Sequence, residues 1–255
     1  MSLAGRVALV TGGGRGIGKA ISLGLAADGA AIAINYRKDR EAAEATAAEI
    51  GAAGGKAHAY AASIDSWDDN QAMVEAVLAD FGHIDILVNN AGIASRGNAV
   101  ADTDPAEMER VVRTHAFGPF YLSKLVIPSM RAQPRGDIIV ISSVATERMP
   151  GNGSPYNMGK AALEALALTL YKEERQHNIH VNIVAPGLVD TDMGRRLAKA
   201  VLGANDLREL DSTMPFGHVC QPGDVADVVR YLVSAQAGYL TGQKVLVDGG
   251  GNLWG

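Results

Sequence analysis

Two side chains four residues apart carry the chemistry that the sequence indicates most directly. Tyr156 and Lys160 lie in a segment with helical spacing, so both project from one face. A phenol with its ordinary pKa of about 10 is a poor base near neutral pH. A neighbouring ammonium stabilises the phenolate and lowers that pKa, so Tyr156 could exchange a proton with an alcohol or a forming alkoxide. Because this spacing arises often by chance, the pair needs supporting context.

Ser143 supplies part of that context. The apolar run 138–141 leads into Ser142 and Ser143, thirteen residues before Tyr156. A serine hydroxyl at the carboxyl end of a strand could hold a substrate oxygen while Tyr156 transfers the proton. The alternative is that the two serines merely terminate the strand.

A glycine-rich loop near the start of the chain predicts a phosphate site. The apolar run 7–10 leads into TGGGRGIG at 11–18, and a helical pattern follows at once. Gly12 permits the tight turn, Gly16 lets the backbone approach a pyrophosphate, and Gly18 lets helix and strand pack closely. The helix N-terminus adds free N–H groups and a positive dipole end. The alternative is a glycine turn with a structural role only.

A glycine loop of this pattern is typical of dinucleotide sites, and the end of the second predicted strand would then indicate whether NAD(H) or NADP(H) binds. An NAD site usually places an acid there, against the ribose hydroxyls. Residues 34–38 instead read INYRK, with no carboxylate. Arg15 and Arg37 could both bind a 2′-phosphate, whereas Asp39, the nearest acid, is expected to cap the next helix. We therefore expect NADP(H) in preference to NAD(H).

Short apolar runs alternate with helical patterns along the chain and must position these side chains. Most runs are apolar throughout, as in strands that are covered by helices on both faces. The sequence therefore predicts one α/β domain over residues 1–255: a Rossmann-like, doubly wound, seven-stranded parallel sheet with helices on both faces. The predicted strands are 7–10, 30–35, 57–61, 84–88, 138–141, 181–184 and 244–247.

Residues 187–217 break this alternation. The segment mixes apolar and polar residues between the last two predicted strands. Extra helical material here would lie at the carboxyl edge of the sheet, where open α/β sheets bind ligands. We expect a lid over the substrate; the alternative is an excursion that covers part of the core.

Composition and charge argue against several other classes of protein. The 255 residues carry a formal net charge of −5, which does not favour a nucleic-acid partner. No apolar run approaches the roughly 20 residues of a membrane span, and the N-terminus lacks the features of a signal peptide, so we expect a cytoplasmic protein. Cys220, the only cysteine, excludes an internal disulfide and a cysteine-cluster metal site, and no metal is expected.

Several ordered motifs resemble the short-chain dehydrogenase/reductase family, and within it the 3-oxoacyl-acyl-carrier-protein reductase branch. The resemblance runs from about residue 3 to residue 251. It implies an enzyme that moves a hydride between a nicotinamide cofactor and a carbonyl or secondary alcohol. The motifs are TGGGRGIG at 11–18, NNAG at 89–92, ISS at 141–143, YNMGK at 156–160, VNIVAPGLVDTDM at 181–193 and YLTGQKVLVDGG near the end.

The resemblance also implies roles for individual residues. Ser143 matches the serine that polarises the substrate, and Tyr156 matches the acid/base. Lys160 matches the residue that binds the nicotinamide ribose and lowers the tyrosine pKa. The expected cofactor contacts are Gly12, Gly14, Arg15, Gly16, Ile17, Gly18, Tyr36, Arg37, Ser63, Ile64, Asn89, Ala91, Gly92, Tyr156, Lys160, Pro186, Gly187, Val189 and Thr191.

Two positions depart from the family's pattern. The family usually has an asparagine in the helix before the ISS strand, where it holds a water that connects the lysine to solvent; here that position is His115. The spacing of Met108, Val111 and His115 points His115 inward. A neutral histidine could hold a water or shuttle protons, which makes it a candidate catalytic residue; the alternative is a satisfied core histidine. Ser63 replaces a common aspartate beside the adenine, so we expect weaker adenine recognition.

The substrate and the assembly stay open at this level. A 3-oxoacyl thioester is one candidate, and a secondary alcohol, sugar, steroid or polyketide carbonyl are others. A protein-tethered thioester would need basic residues near the cleft, for which Arg131, Arg135 and Arg175 are candidates, although such charges are usually solvated. The resemblance implies a homotetramer built through long helices and the final strand, and Trp254 could reach a neighbouring subunit or fray.

A nucleotide-binding sensor or scaffold without turnover is the alternative function of a different class. The change at His115 would be its symptom. Retention of Ser143, Tyr156 and Lys160 argues against it, because a site without turnover has no physical need for that trio.

Overall fold

The computed structural model describes residues 2–251, without the side chains of residues 201 and 202. One parallel sheet lies at the centre of these residues. The strand order is β3-β2-β1-β4-β5-β6-β7, and it reverses direction between β1 and β4. The sheet is therefore doubly wound, and the carboxyl ends of all its strands meet at one edge. The strands are β1 (Val7–Val10), β2 (Ala31–Tyr36), β3 (Ala57–Ala61), β4 (Ile86–Asn89), β5 (Gly136–Ile141), β6 (Ile179–Pro186) and β7 (Lys244–Val247).

Helices cover both faces of this sheet, which confirms the predicted fold class. Apolar side chains of α1, α2 and α9 pack with one face, and those of α3, α5 and α7 pack with the other. Strands buried on both faces read as continuous apolar runs, which is why their pattern was legible in the sequence. The helices are α1 (Gly16–Ala27), α2 (Arg40–Ala52), α3 (Trp67–Phe81), α4 (Pro105–Val112), α5 (Gly118–Arg131), α6 (Ala145–Arg148), α7 (Ser154–Glu174), α8 (Asp192–Leu202) and α9 (Pro222–Leu232).

Strand ends differ from the sequence prediction where polar residues enter the sheet. β5 and β6 both begin two residues earlier than predicted, with Asp137 paired to His180 in register. Asp137 is fully buried, and Arg6 and Arg135 bind its carboxylate at 2.7 and 2.8 Å. A charged residue therefore lies inside a strand because two guanidinium groups satisfy it.

The connection 187–217 is helical rather than irregular. It contains α8 and a 3₁₀ helix over Leu207–Thr213. Ala198, Ala204 and Leu207 pack with Val219 in a small apolar cluster, separate from the two that flank the sheet. The segment thus has a core of its own, which the sequence prediction did not include.

The helices of residues 2–251 include none that is both long enough and apolar enough to cross a membrane. Across the same residues, His, Cys, Asp and Glu side chains form no group of three that could hold a metal ion. Trp254, a candidate interface residue, lies outside the described residues.

Candidate active site

The residues proposed from the sequence come together at the carboxyl edge of the sheet. The glycine loop follows β1, residues 36 and 37 end β2, and residues 63 and 64 follow β3. Asn89 ends β4, Ser143 follows β5, and residues 186–191 end and follow β6. Tyr156 and Lys160 lie in the first two turns of α7. Six strands therefore contribute to one edge, as ligand sites in open α/β sheets require.

Helix α7 places Tyr156 and Lys160 beside the end of β5. Pro155 in its first turn has the fixed φ that suits a helix start. Lys160 is buried, and its Nζ donates a hydrogen bond to the Ile141 carbonyl oxygen at 2.7 Å. The Ser143 hydroxyl accepts a hydrogen bond from the Ala145 N–H at 3.1 Å, which holds the serine at the start of the turn. The three side chains thus converge from a strand end and one helix.

Burial dominates the protonation of the pair. It lowers the pKa of Lys160 to about 7, although the nearby Glu164 carboxylate acts in the opposite direction. Burial also raises the pKa of Tyr156, against the effect of the Ser143 hydroxyl. The sequence predicted a lowered Tyr156 pKa through Lys160, and this expectation was wrong for the structure described. Burial of the phenol, rather than the charge of Lys160, is the largest influence on it.

His115 lies inside this site. It occupies a turn of π-helix over Arg113–Phe117, between α4 and α5. Its ring stands edge-on to the Tyr156 ring, with 5.3 Å between ring centroids. Its Nε2 lies 2.8 Å from the Ile93 carbonyl oxygen and 3.3 Å from the Ile93 nitrogen. A π-turn widens a helix locally and is frequent at functional sites.

The surroundings of His115 keep it neutral. Burial lowers its pKa to about 3, and the positive charge of Lys160 adds to that effect. Neutral imidazole has one donor and one acceptor nitrogen, and Nδ1 is buried without a hydrogen-bond partner among the described residues. The inward orientation predicted from spacing is confirmed, whereas the alternative of a fully satisfied core histidine is not, because one ring nitrogen lacks a partner.

The glycine loop has the close contacts that its sequence implied. Gly12 and Gly16 have φ angles of +60° and +52°, which favour glycine. A Cβ on Gly18 would lie 2.2 Å from the Gly12 carbonyl oxygen, and one on Gly14 would lie 2.7 Å from the Ala43 Cα. Gly18 therefore packs against the loop itself, and Gly14 against α2, which makes Gly14 a packing residue as well as a candidate cofactor contact.

Two features fit this edge to a dinucleotide. The N-terminus of α1 has no side-chain cap and no acidic residue in its first turn, so its positive end is free for a phosphate. Asn89 is buried at the end of β4, and neither its Oδ1 nor its Nδ2 has a hydrogen-bond partner within residues 2–251. Buried amides are nearly always hydrogen-bonded, so Asn89 is suited to a polar group brought by a ligand.

The end of β2 carries the groups that would distinguish NADP from NAD. Arg15 and Arg37 are exposed there. Asp39 caps α2 by accepting the Ala42 N–H at 3.2 Å, as predicted, and lies 3.8 Å from Arg15. Arg15 thus shares the Asp39 carboxylate with the α2 cap, whereas Arg37 has no salt bridge among the described residues.

Further cofactor candidates follow β3 and β6 at the same edge. The Ser63 hydroxyl donates to Asp65 at 2.5 Å, so its proton is engaged while its lone pairs remain available to adenine. Thr191 caps α8 by accepting the Gly194 N–H at 3.1 Å. A Cβ on Gly16 would lie 3.3 Å from the Thr191 methyl group. The glycine loop and the 187–191 segment are therefore close neighbours at this edge.

Three other candidates lie away from this edge. Arg131 ends α5, Arg135 precedes β5 and Arg175 follows α7, all at the amino ends of the strands. Arg131 pairs with Glu174 at 2.6 Å and Arg135 pairs with Asp137. The hypothesis that these arginines meet an acyl carrier beside the cleft was therefore wrong. Burial raises the pKa of the Cys220 thiol to about 12, which disfavours the nucleophilic thiolate.

Sequence reasoning missed the residues that support the site from behind. Asn90 Nδ2 donates to the Thr11 carbonyl oxygen at 2.8 Å, and Thr11 Oγ1 accepts the Asn90 and Ala91 N–H groups. Glu164, one turn after Lys160, accepts from hydroxyl groups next to Ser143. The four-residue step from Lys160 to Glu164 was a visible signal, whereas the contacts of Thr11 depend on the fold.

The fold and the site define a nicotinamide-dependent oxidoreductase of the Rossmann type. A family model for short chain dehydrogenase matches residues 6–201. The chain is 37% identical over 251 residues to a 3-oxoacyl-[acyl-carrier-protein] reductase of Synechocystis sp., with 98% of each chain covered. It belongs to the short-chain dehydrogenase family and is an NAD(P)-dependent enzyme of that family.

Two solved structures show the breadth of this similarity. One is a short chain dehydrogenase from Burkholderia cenocepacia J2315 in complex with NADP, at 34% identity and a TM-score of 0.88, with 98% of this chain and 99% of that chain covered. The other is a 7α-hydroxysteroid dehydrogenase with NADH and 7-oxo glycochenodeoxycholic acid, at 32% identity and a TM-score of 0.90, covering 98% and 95%. The similar structures thus bind either cofactor, and the comparisons lend no support to a sensor without turnover.

Proposed function

We propose that this enzyme uses NADP(H) to interconvert a carbonyl and a secondary alcohol, with Ser143, Tyr156 and Lys160 as its catalytic residues. The observation that carries the proposal is their convergence at the carboxyl edge of the sheet, with Lys160 held against the end of the Ser143 strand. When bound, the nicotinamide supplies or accepts the hydride at the carbon that bears the reacting oxygen.

Each residue then has a defined task. The Ser143 hydroxyl donates a hydrogen bond to the substrate oxygen, and Tyr156 Oη delivers or removes the proton at that oxygen. Lys160, with a pKa of about 7, holds a proton that can pass toward Tyr156. His115 Nε2 is hydrogen-bonded to Ile93, which anchors the π-turn, and Nδ1 is available for a hydrogen bond inside the site.

We assign the dinucleotide to the groove formed by the glycine loop and the ends of β2, β3, β4 and β6. The free N-terminus of α1 suits the pyrophosphate and Asn89 suits the adenosine side. Arg15 and Arg37 favour the 2′-phosphate of NADP(H). Because the similar structures include both an NADP complex and an NADH complex, the choice depends on these arginines.

A 3-oxoacyl thioester is our first substrate candidate, on the likeness to the Synechocystis reductase. We infer that residues 187–217 form the lid over that substrate. A cavity of about 520 Å³ lies between this segment and the end of β7, lined by Leu188, Met214 and Phe216 together with Leu246. Its walls are mainly apolar and do not include the catalytic trio, so it would take a substrate's tail rather than its reacting carbon.

Replacing Tyr156 with phenylalanine tests the mechanism and the cofactor together. We expect turnover to fall at least about a thousandfold, because the proton donor is lost, while binding of NADPH, followed by fluorescence titration, is unchanged. Wild-type and variant should both bind NADPH more tightly than NADH. Retained turnover would overturn the mechanism, and an NADPH dissociation constant no tighter than that for NADH would overturn the cofactor assignment.

A substrate panel completes the test. NADPH consumption is followed with acetoacetyl thioesters, diketones and quinones, with Tyr156→Phe as the inactive reference. Turnover of the thioesters alone supports the first candidate. Inactivity with every member of the panel, despite tight NADPH binding, would contradict the proposed activity.

A further inference from the structure

A group of polar side chains lies directly behind the turn that carries Ser143. We name it the Glu164 cluster; its members are Ser142, Thr146, Glu147, Glu164 and Lys244. The Ser142 hydroxyl donates to Glu164 Oε1, and Thr146 Oγ1 lies 2.7 Å from the same oxygen. Lys244 Nζ donates to Glu164 Oε2 at 2.8 Å, to Thr146 at 2.7 Å and to Glu147 at 2.5 Å.

The cluster joins three elements of the site: the serine turn, α7 and β7. Ser142 and Thr146 flank Ser143, and Thr146 Oγ1 also lies 2.7 Å from the Ser143 carbonyl oxygen. Glu164 lies on α7, one turn beyond Lys160, and Lys244 is the first residue of β7. The cluster therefore ties the serine turn to the helix of Tyr156 and Lys160, and ties both to the last strand.

The burial of this cluster marks it as more than a surface ion pair. The side chains of Glu164 and Lys244 are 14% and 22% exposed. A partly buried pair costs desolvation energy that only well-placed partners offset. Both carboxylate oxygens of Glu164 have partners, and Lys244 uses all three of its donors. Glu164 lies one turn from Lys160, so its charge and its position both affect that lysine.

We propose that Glu164 and Lys244 are positioning residues for the reaction, which fix Ser143 relative to Tyr156 and balance the charge beside Lys160. This inference rests on the proposed function for its kinetic part. Neither residue contacts the reacting atoms; Glu164 acts through the serine turn and through Lys160, and Lys244 acts through Glu164.

The two charges act on Lys160 in opposite directions. The titratable groups that face Lys160 are Tyr156 and Glu164 on its own helix and His115 on the π-turn, while Glu147 on α6 and Lys244 on β7 reach it through Glu164. The Glu164 carboxylate favours the ammonium form of Lys160 and raises its pKa. The Lys244 ammonium offsets part of that attraction, so its removal should raise the pKa of Lys160 further.

The test compares Glu164→Gln with Lys244→Met. The titration of Lys160 is followed by the ¹³Cε chemical shift in lysine-labelled protein, assigned by its absence from Lys160→Met. We expect its midpoint to fall by at least about 0.5 pH unit in Glu164→Gln and to rise in Lys244→Met. The pH above which carbonyl reduction declines should move in the same two directions, with kcat reduced roughly tenfold or more in both variants.

The control is Glu174→Gln on the same helix. Glu174 is buried and paired with Arg131, at the far end of α7 from Lys160. Glu174→Gln should lower Tm without moving the midpoint of the Lys160 titration or that of the pH dependence of carbonyl reduction. Equal shifts in Glu164→Gln and Lys244→Met, or none, with folded protein by circular dichroism, would overturn the inference. Because the Lys160 titration needs no substrate, opposite shifts in an enzyme that reduces no carbonyl would sustain the charge balance and contradict only the proposed function.

Discussion

At the scale of single residues, His115 sets the hardest constraint in the site. Its Nε2 is within reach of both the N–H and the carbonyl oxygen of Ile93, yet one nitrogen cannot donate and accept at once. An asparagine side chain in its place has one donor and one acceptor and can serve both groups. The chain therefore keeps a histidine at a cost in hydrogen bonding.

His115 also makes the folded state sensitive to acid. The unfolded residue binds a proton below its ordinary pKa of about 6.5, whereas the folded one, with a pKa of about 3, does not. The unfolded state therefore binds more protons in that window, and stability is lost as the pH falls through it. At pH 5 this loss amounts to about 2 kcal/mol relative to neutral pH.

We expect His115→Asn to remove most of this loss. Urea unfolding of wild type and variant at pH 5 and pH 7 measures it, with the exposed His177→Asn as the control that should behave as wild type. Reduction activity should survive in His115→Asn, with a shifted pH profile, because asparagine can hold the same turn. An equal acid loss in both proteins would show that His115 titrates normally, and a folded variant without turnover would show a role that asparagine cannot fill.

At the scale of elements, the junction of β1 and α1 depends on atoms that glycine lacks. A Cβ on Gly18 would approach the Gly12 carbonyl oxygen to 2.2 Å, so α1 would have to move away from the loop. Gly51, in α2, has nothing within 4 Å of the same atom. One substitution at the two sites therefore separates a steric effect from helix propensity.

We expect Gly18→Ala to destabilise the fold by about 1–3 kcal/mol and to weaken NADPH binding, because overpacking displaces the helix end that would meet the phosphates. Gly51→Ala should stabilise by about 0.5–1 kcal/mol, since alanine favours the helix. Chemical denaturation and cofactor titration measure both. A neutral Gly18→Ala would mean that the loop shifts at no cost.

The elements also show where sequence reasoning reached its limit. All seven strands were located, because continuous apolar runs signal them directly. The buried β5 and β6 nevertheless begin two residues before their predicted starts, where polar residues enter the sheet. The π-turn at Arg113–Phe117 was not predicted; its His115 contacts Ile93, 22 residues earlier, and such a contact is not visible in local sequence spacing. Lys244 was missed for the same reason: it lies 80 residues from Glu164, and only the closed sheet brings them together. The direction of the Tyr156 pKa shift was mispredicted because the burial that raises it depends on how the whole site is packed.

At the scale of the whole molecule, large apolar side chains remain exposed on α7 and around the start of α5. Phe117 and Phe120 flank the start of α5, with Phe120 49% exposed, and Leu168 is exposed on α7. Exposed apolar groups of this size mark interaction surfaces when they gather on packed helices. We infer that these helices meet those of another subunit in a homotetramer.

Replacing Phe120 with glutamate should break that contact. We expect the mass measured by light scattering during gel filtration to fall from four chains to two or one, because a charge would be buried at the interface. Val100→Glu, at a side chain that is 75% exposed on a different segment, is the control and should leave the mass unchanged. A Phe120→Glu protein that keeps the wild-type mass would place the interface elsewhere.

The strand order has a consequence for how the protein folds while it is being synthesised. β2 and β3 add to one side of β1, and β4, β5, β6 and β7 then add to the other side one after another. Each strand that emerges during synthesis therefore finds its neighbour already made, and the sheet can be laid down in the order of translation. Lys244 arrives with the last strand and meets Glu164 only then. A chain that ends before β7 would contain Ser143, Tyr156 and Lys160 but would lack Lys244, the counter-charge of Glu164. The arrangement of the site is therefore completed only when the last strand has been synthesised.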